Sequence, residues 1–151
     1  MSTPEPSVVK HTAATPPPHA EPRADDAPSH TVLLVEDDRA LRRFLEVTLE
    51  RAGYRVVAAS DGLEAMKAAL STDINAVVTD AVMPHLGGRE LCGFLRRHPK
   101  LRALPVVLLS GSEGAGVPAG EASERPDVCL TKPVRPEELT NCLASLLERD
   151  A

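Results

Sequence analysis

From residue 31 onward the chain alternates two kinds of apolar pattern. Short, mainly apolar runs make up the first kind: Thr31-Val32-Leu33-Leu34-Val35, which is continuous, and residues 54–59, residues 74–79, Pro105-Val106-Val107-Leu108-Leu109 and residues 127–131. Such a run, apolar at consecutive positions, is what a strand buried on both faces requires, so five strands of a parallel sheet are expected. The second kind is helical. Leu41, Phe44, Leu45, Thr48 and Leu49 recur at i, i+3, i+4, i+7 and i+8, a stripe that turns inward and that Gly53 terminates. Similar stripes follow Asp61-Gly62 (Ala65, Met66, Ala69, Leu70) and Gly87-Gly88 (Leu91, Leu95), and a last one holds Leu139, Cys142, Leu143, Leu146 and Leu147. Strands alternating with helices across short crossovers specify a doubly wound α/β fold, with helices on both faces of the sheet.

Residues 1–30 break the pattern. They hold seven of the 14 prolines and only Val8-Val9 as an adjacent aliphatic pair, too little to bury against the entropy of ordering. A disordered Pro-rich tail is expected there, and one domain over residues 31–150. Composition narrows the function. Phe44, Tyr54 and Phe94 are the only aromatic residues and tryptophan is absent, so the core is aliphatic and no stacking platform for nucleic acid is available. Acidic side chains number 22 against 17 basic ones, which also argues against a nucleic-acid partner. The basic run Arg96-Arg97-His98-Pro99-Lys100 closes a helical stripe, where cations complement the helix C-terminus. Cys92, Cys129 and Cys142 are widely spaced and form no CxxC pair, so neither a zinc site nor a disulfide framework is indicated, and a cytoplasmic location is expected. No apolar run approaches the ~18 residues of a membrane span, and the N-terminus lacks a signal-peptide core.

In a doubly wound sheet, functional groups gather in the crevice beyond the carboxyl ends of the strands. Glu36-Asp37-Asp38 follows the first strand and Asp80 the third. Carboxylates brought this close raise one another's pKa unless a cation intervenes, and an oxygen-rich cluster suits a hard divalent ion such as Mg²⁺. Asp38 is set apart, as the N-cap of the first helix. Ser110 after the fourth strand and Lys132 after the fifth add a hydroxyl and a cation. A carboxylate nucleophile, a metal, a hydroxyl donor and a lysine together are the parts that phosphoryl transfer uses.

With these residues in place, residues 31–150 resemble the receiver domains of two-component response regulators. The resemblance rests on Val35-Glu36-Asp37-Asp38, Thr79-Asp80-Ala81-Val82-Met83-Pro84, Leu109-Ser110-Gly111 and Leu130-Thr131-Lys132-Pro133. It implies a flavodoxin-like (βα)5 fold with strand order 2-1-3-4-5. It also implies that Asp80 accepts a phosphoryl group from a sensor histidine kinase or a histidine phosphotransfer protein. Glu36, Asp37, Asp80 and the backbone carbonyl of Val82 would then hold Mg²⁺, while Ser110 and Lys132 bond phosphoryl oxygens. The chain would be a phosphoacceptor, an enzyme only toward its own phosphorylation and dephosphorylation. A cis Lys132-Pro133 peptide is implied as well. Gly111 reads either as room for the phosphoryl group or as a plain turn glycine, and Gly88 as a helix-start residue without chemistry.

Two departures from the family pattern qualify the output. Cys129 stands where similar proteins carry an aromatic residue, and a small soft side chain cannot sweep out the same surface change. Residues 112–121 place three glycines and a proline where the fourth helix belongs, so that helix is expected to be short or irregular, with a monomer or weak dimer the result. Only four residues follow the last helical stripe, and a stand-alone receiver is therefore expected, signalling by protein contact or by phosphorelay. A receiver-fold module that binds its partner independently of phosphorylation is the alternative. A hydrolase with an aspartyl-phosphate intermediate ranks last, because the second acid it needs two residues after the nucleophile is Val82.

Overall fold

The computed structural model describes residues 30–111 and 125–149. Nine elements occur in it: β1 (Thr31–Val35), α1 (Arg39–Arg51), β2 (Arg55–Ala59), α2 (Gly62–Ser71), β3 (Ala76–Asp80), α3 (Gly88–Arg97), β4 (Val106–Ser110), β5 (Val128–Thr131) and α4 (Pro136–Arg149). The five strands form one parallel sheet in the order β2-β1-β3-β4-β5, as expected. The tail, the segment expected as an irregular fourth helix and the last two residues lie outside the described residues.

The unbroken apolar runs are explained by the two layers that cover the sheet. Alternate residues of β1 face opposite sides: Val32 and Leu34 enter one core with Leu45, Leu49, Leu139 and Leu143, while Leu33 and Val35 enter the other with Ala65, Ala69, Leu91 and Leu95. α1 and α4 thus cover one face, α2 and α3 the other.

Helix ends are defined by their caps. Asp38 Oδ1 accepts from the Leu41 N–H at 2.9 Å and Asp61 Oδ1 from the Glu64 N–H at 2.8 Å, each satisfying an orphan donor of a first turn. Glu64 also takes the Ser60 N–H and hydroxyl, and these bonds hold its carboxyl below the ordinary range. Gly53, at φ 101°, occupies the left-handed position just past α1 that a side chain would resist.

Two stripe positions differ from expectation. Phe44 is 48% exposed and Leu70 is exposed too. The buried line of α1 runs through Leu45 and Leu49, with Leu41 half-buried. Phe44, three residues from Leu41, lies at the margin of that line because a 3.6-residue turn carries it sideways.

Candidate functional site

The parallel ladders extend to Asp80, paired with Leu109, and to Ser110, paired with Thr131. Both residues therefore end strands where the run pattern placed them just beyond. Inclusion in a ladder fixes their backbones: the Ala81 N–H donates to the Leu109 carbonyl at 2.8 Å and the Lys132 N–H to the Ser110 carbonyl at 2.8 Å.

Glu36 is held from several sides. Its N–H donates to the Ala59 carbonyl at 3.0 Å, its own carbonyl accepts from Arg42 Nη1 at 2.7 Å, and its Oε2 accepts from the Asp38 N–H at 3.0 Å. Carboxylate oxygens of Glu36, Asp37 and Asp80 lie within 4.8 Å of one another. Lys132 Nζ stands 3.0 Å from Asp80 Oδ1 and 3.6 Å from Glu36 Oε1. The Lys132-Pro133 peptide is cis.

Burial makes this grouping costly. Glu36 is 1% exposed, Asp80 6% and Ser110 3%. Desolvation pushes the Glu36 carboxyl up to about 7, against the bond from Asp38 and with the help of the Asp80 charge. Burial pulls the Lys132 ammonium down, but its hydrogen bond to Asp80 and the charges of Glu36 and Asp80 outweigh this, so its net shift is upward.

Two buried oxygens, Glu36 Oε1 and Ser110 Oγ, have no hydrogen-bond partner among the described residues. Buried polar atoms are otherwise almost always paired, so these two mark places kept open for something else. A carboxylate oxygen of this kind amid two further carboxylates fits a hard divalent cation, and the donor set is all oxygen, as Mg²⁺ requires. The open serine hydroxyl fits an anionic oxygen. Val82, by contrast, is 79% exposed on the loop after β3.

Gly88 contributes in a way that spacing did not reveal. A Cβ there would stand 2.1 Å from the Asp80 carbonyl oxygen, and the Gly88 N–H donates to Ala81 at 3.0 Å. The bare backbone lets the start of α3 close directly over the strand end that carries Asp80. Gly62 plays the same part for the next loop, where a Cβ would meet the Leu86 carbonyl oxygen at 2.5 Å. Arg42 was also not singled out from sequence, since an arginine in an amphipathic helix carries no signal of reaching back to a strand end.

An α/β sheet with buried carboxylates, a lysine and an unpaired hydroxyl at its carboxyl edge is a phosphoacceptor architecture. The family model of the response regulator receiver domain matches residues 32–144, and the chain belongs to that family. Its members are phosphoacceptor modules of two-component signalling and bind Mg²⁺ at an acidic pocket. Transcriptional regulatory protein GltR of Pseudomonas aeruginosa is 31% identical over 123 residues, 82% of this chain and 51% of GltR. Protein PilG of the same organism is 30% identical over 112 residues, 74% of this chain and 83% of PilG. The chain spans about half the length of several curated relatives, GltR among them. Among solved structures, the response regulator TrrA of Thermotoga maritima in complex with Mg²⁺ and BeF has a TM-score of 0.67 at 26% identity, covering 78% of this chain and 98% of that one. No helix among the described residues is long and apolar enough to cross a membrane.

Proposed function

We propose that Asp80 is the phosphoacceptor of this chain and that the donor is a phosphohistidine of a sensor histidine kinase or of a phosphotransfer protein. The observation that carries the reading is the convergence on Asp80: Lys132 Nζ at 3.0 Å, with the Glu36 and Asp37 carboxylates within 4.8 Å. Asp80 attacks phosphorus, the new O–P bond forms as the P–N bond breaks, and the released imidazole takes up a proton. Lys132 holds the attacking carboxylate and then pairs with a phosphoryl oxygen. Ser110 donates its unpaired hydroxyl to another. Glu36, Asp37, Asp80 and the Val82 carbonyl hold Mg²⁺, which when bound neutralises charge on the phosphoryl oxygens.

The domain covers residues 31–150, and its output runs through protein contact or phosphorelay in the cytoplasm. Labelling with acetyl phosphate tests the reading: incorporation that requires Mg²⁺ and disappears in Asp80→Ala is expected. Incorporation that survives this substitution would place the acceptor elsewhere.

A second reading, partner binding indifferent to phosphorylation, is favoured by Cys129, a half-buried thiol on β5 where an aromatic side chain would supply a larger movement. Equal partner affinity of the protein with and without a phosphoryl mimic would select it.

A further inference from the structure

Glu36 and Asp37 are neighbours in sequence, so a single peptide unit sets how their carboxylates stand relative to each other. That unit is planar, and holding its carbonyl holds the whole plane. The carbonyl is that of Glu36, and it accepts from Arg42 Nη1 at 2.7 Å in a part-buried, charge-assisted bond. The other anchors of this loop lie to either side. The Glu36 N–H donates to the Ala59 carbonyl at 3.0 Å, and the Asp38 N–H donates at 3.0 Å to Glu36 Oε2, an oxygen of the carboxylate cluster itself. Asp37 is exposed, and its orientation depends on the units that flank it. Arg42 braces the first of these units without drawing on any of the clustered oxygens.

Local preference does not account for an arginine here. Arg42 is the fourth residue of α1, and no acidic residue stands in the first turn. A cation at that end opposes the helix macrodipole. Helical side chains lean toward the N-terminus of their own helix, however, and this carries the guanidinium back to the end of β1. Its neighbours behave differently: Arg39 and Arg43 are exposed, and Arg43 pairs with Glu46 Oε1 at 3.3 Å, whereas Arg42 is half-buried. The charge of Arg42 also acts on Glu64, whose carboxyl is held chiefly by the Ser60 N–H and hydroxyl at the start of α2. The brace is thus steadied from a second loop.

We infer that Arg42 is a positioning residue for divalent-cation binding: by holding the Glu36 carbonyl, it presets the peptide unit between Glu36 and Asp37, so that both carboxylates stand ready before the ion arrives. The inference rests on the reading of Glu36 and Asp37 as Mg²⁺ ligands. Groups that orient metal ligands commonly change affinity about 10- to 100-fold, and a brace acting through the main chain belongs at the lower end.

Mg²⁺ titration of the full-length protein, followed by backbone amide resonances, reads the dissociation constant of the folded molecule and needs no phosphoryl transfer. Arg42→Met keeps an unbranched stem and removes the donor, and its constant is expected to rise about tenfold. Arg42→Lys keeps a single-point cationic donor, and a constant within about threefold of the wild type is expected. Glu36→Gln, titrated in parallel, should weaken binding further than Arg42→Met. Unchanged affinity in Arg42→Met beside weakened binding in Glu36→Gln would overturn the role of Arg42 and leave the ligand assignment standing; a loss of metal-free stability alone in Arg42→Met is this outcome. No recovery in Arg42→Lys would overturn it too, by tracing the weakening to lost packing. Wild-type affinity in Glu36→Gln would instead remove Glu36 from the ligands, and the inference with it.

Discussion

The two ends of the sheet handle buried charge in opposite ways. At the amino end, Arg96 donates to the carbonyls of Arg125, Arg102 and Leu104 at 3.0, 3.0 and 2.6 Å and to Asp127 Oδ2 at 2.8 Å. Asp127 Oδ2 in turn takes the Val106 N–H at 2.8 Å, so the charges there are spent on tying α3, β4 and β5 together. At the carboxyl end, Glu36 and Asp80 share Lys132 with the Asp37 carboxylate close by, and Glu36 Oε1 and Ser110 Oγ make no hydrogen bond among the described residues. One end is closed by its polar groups, and the other holds them open at a cost in free energy. A site meant to receive a cation and an anion has to be incomplete without them.

The largest expected effect separates the ends by function. Asp80→Ala should reduce Mg²⁺-dependent labelling to background while changing metal-free stability by less than about 1 kcal/mol, because loss of the Lys132 pair is offset by relief of carboxylate repulsion. Chemical denaturation beside the labelling assay checks both halves. Arg96→Ala should do the reverse. Removing four hydrogen bonds from a nearly buried guanidinium is expected to cost about 4 kcal/mol, with the labelling rate of the folded fraction altered less than about twofold. A loss of labelling as large as that of Asp80→Ala would mean that the two ends are coupled.

Legibility from sequence follows the same division. The strand runs, the Asp38 cap and the strand-end residues were readable because each depends on neighbours a few positions away. Arg96 was readable only as a cation at a helix end, because Arg125 and Asp127, two of its partners, lie 29 and 31 residues further on. Phe44 misled because a period-3.6 stripe has margins as well as a centre. The need for a bare backbone at Gly88 was hidden too, since a close approach between a helix start and a strand end is set by packing and leaves no periodic mark.

Glu36 gives the next effect, one of pH. Its folded-state pKa of about 7 stands above the ordinary 4.5, so between these values the folded protein keeps a proton that the unfolded chain has released. The contribution of Glu36 to the stability of the metal-free protein is therefore largest below the lower value and falls as pH rises to the upper one, by about 3 kcal/mol. Glu36→Gln should flatten this part of the profile, and Mg²⁺ should restore stability to the wild type at pH 8 by binding only the folded state. Denaturation in chelator at pH 5 and pH 8 reads the difference. Parallel profiles for the two proteins would remove Glu36 from the list of costly groups.

Gly88 tests whether the open end depends on backbone packing as well as on charge. The 2.1 Å between an added Cβ and the Asp80 carbonyl oxygen cannot be tolerated without movement of α3 or of the strand end. Gly88→Ala gains helix propensity of about 1 kcal/mol, and overpacking against a fixed backbone outweighs it, leaving a net loss of about 2 kcal/mol. If the strand end yields, Asp80 moves relative to Lys132 and labelling slows; if the helix yields, labelling survives while stability falls. Because the Asp80 carbonyl sits in a ladder with β4 and the first turn of α3 has no side-chain cap at Gly87, the helix is the softer partner. The expected result is thus a destabilised protein that still labels within about threefold of the wild-type rate, and slower labelling than that would show Asp80 to be held by the α3 start rather than by the sheet.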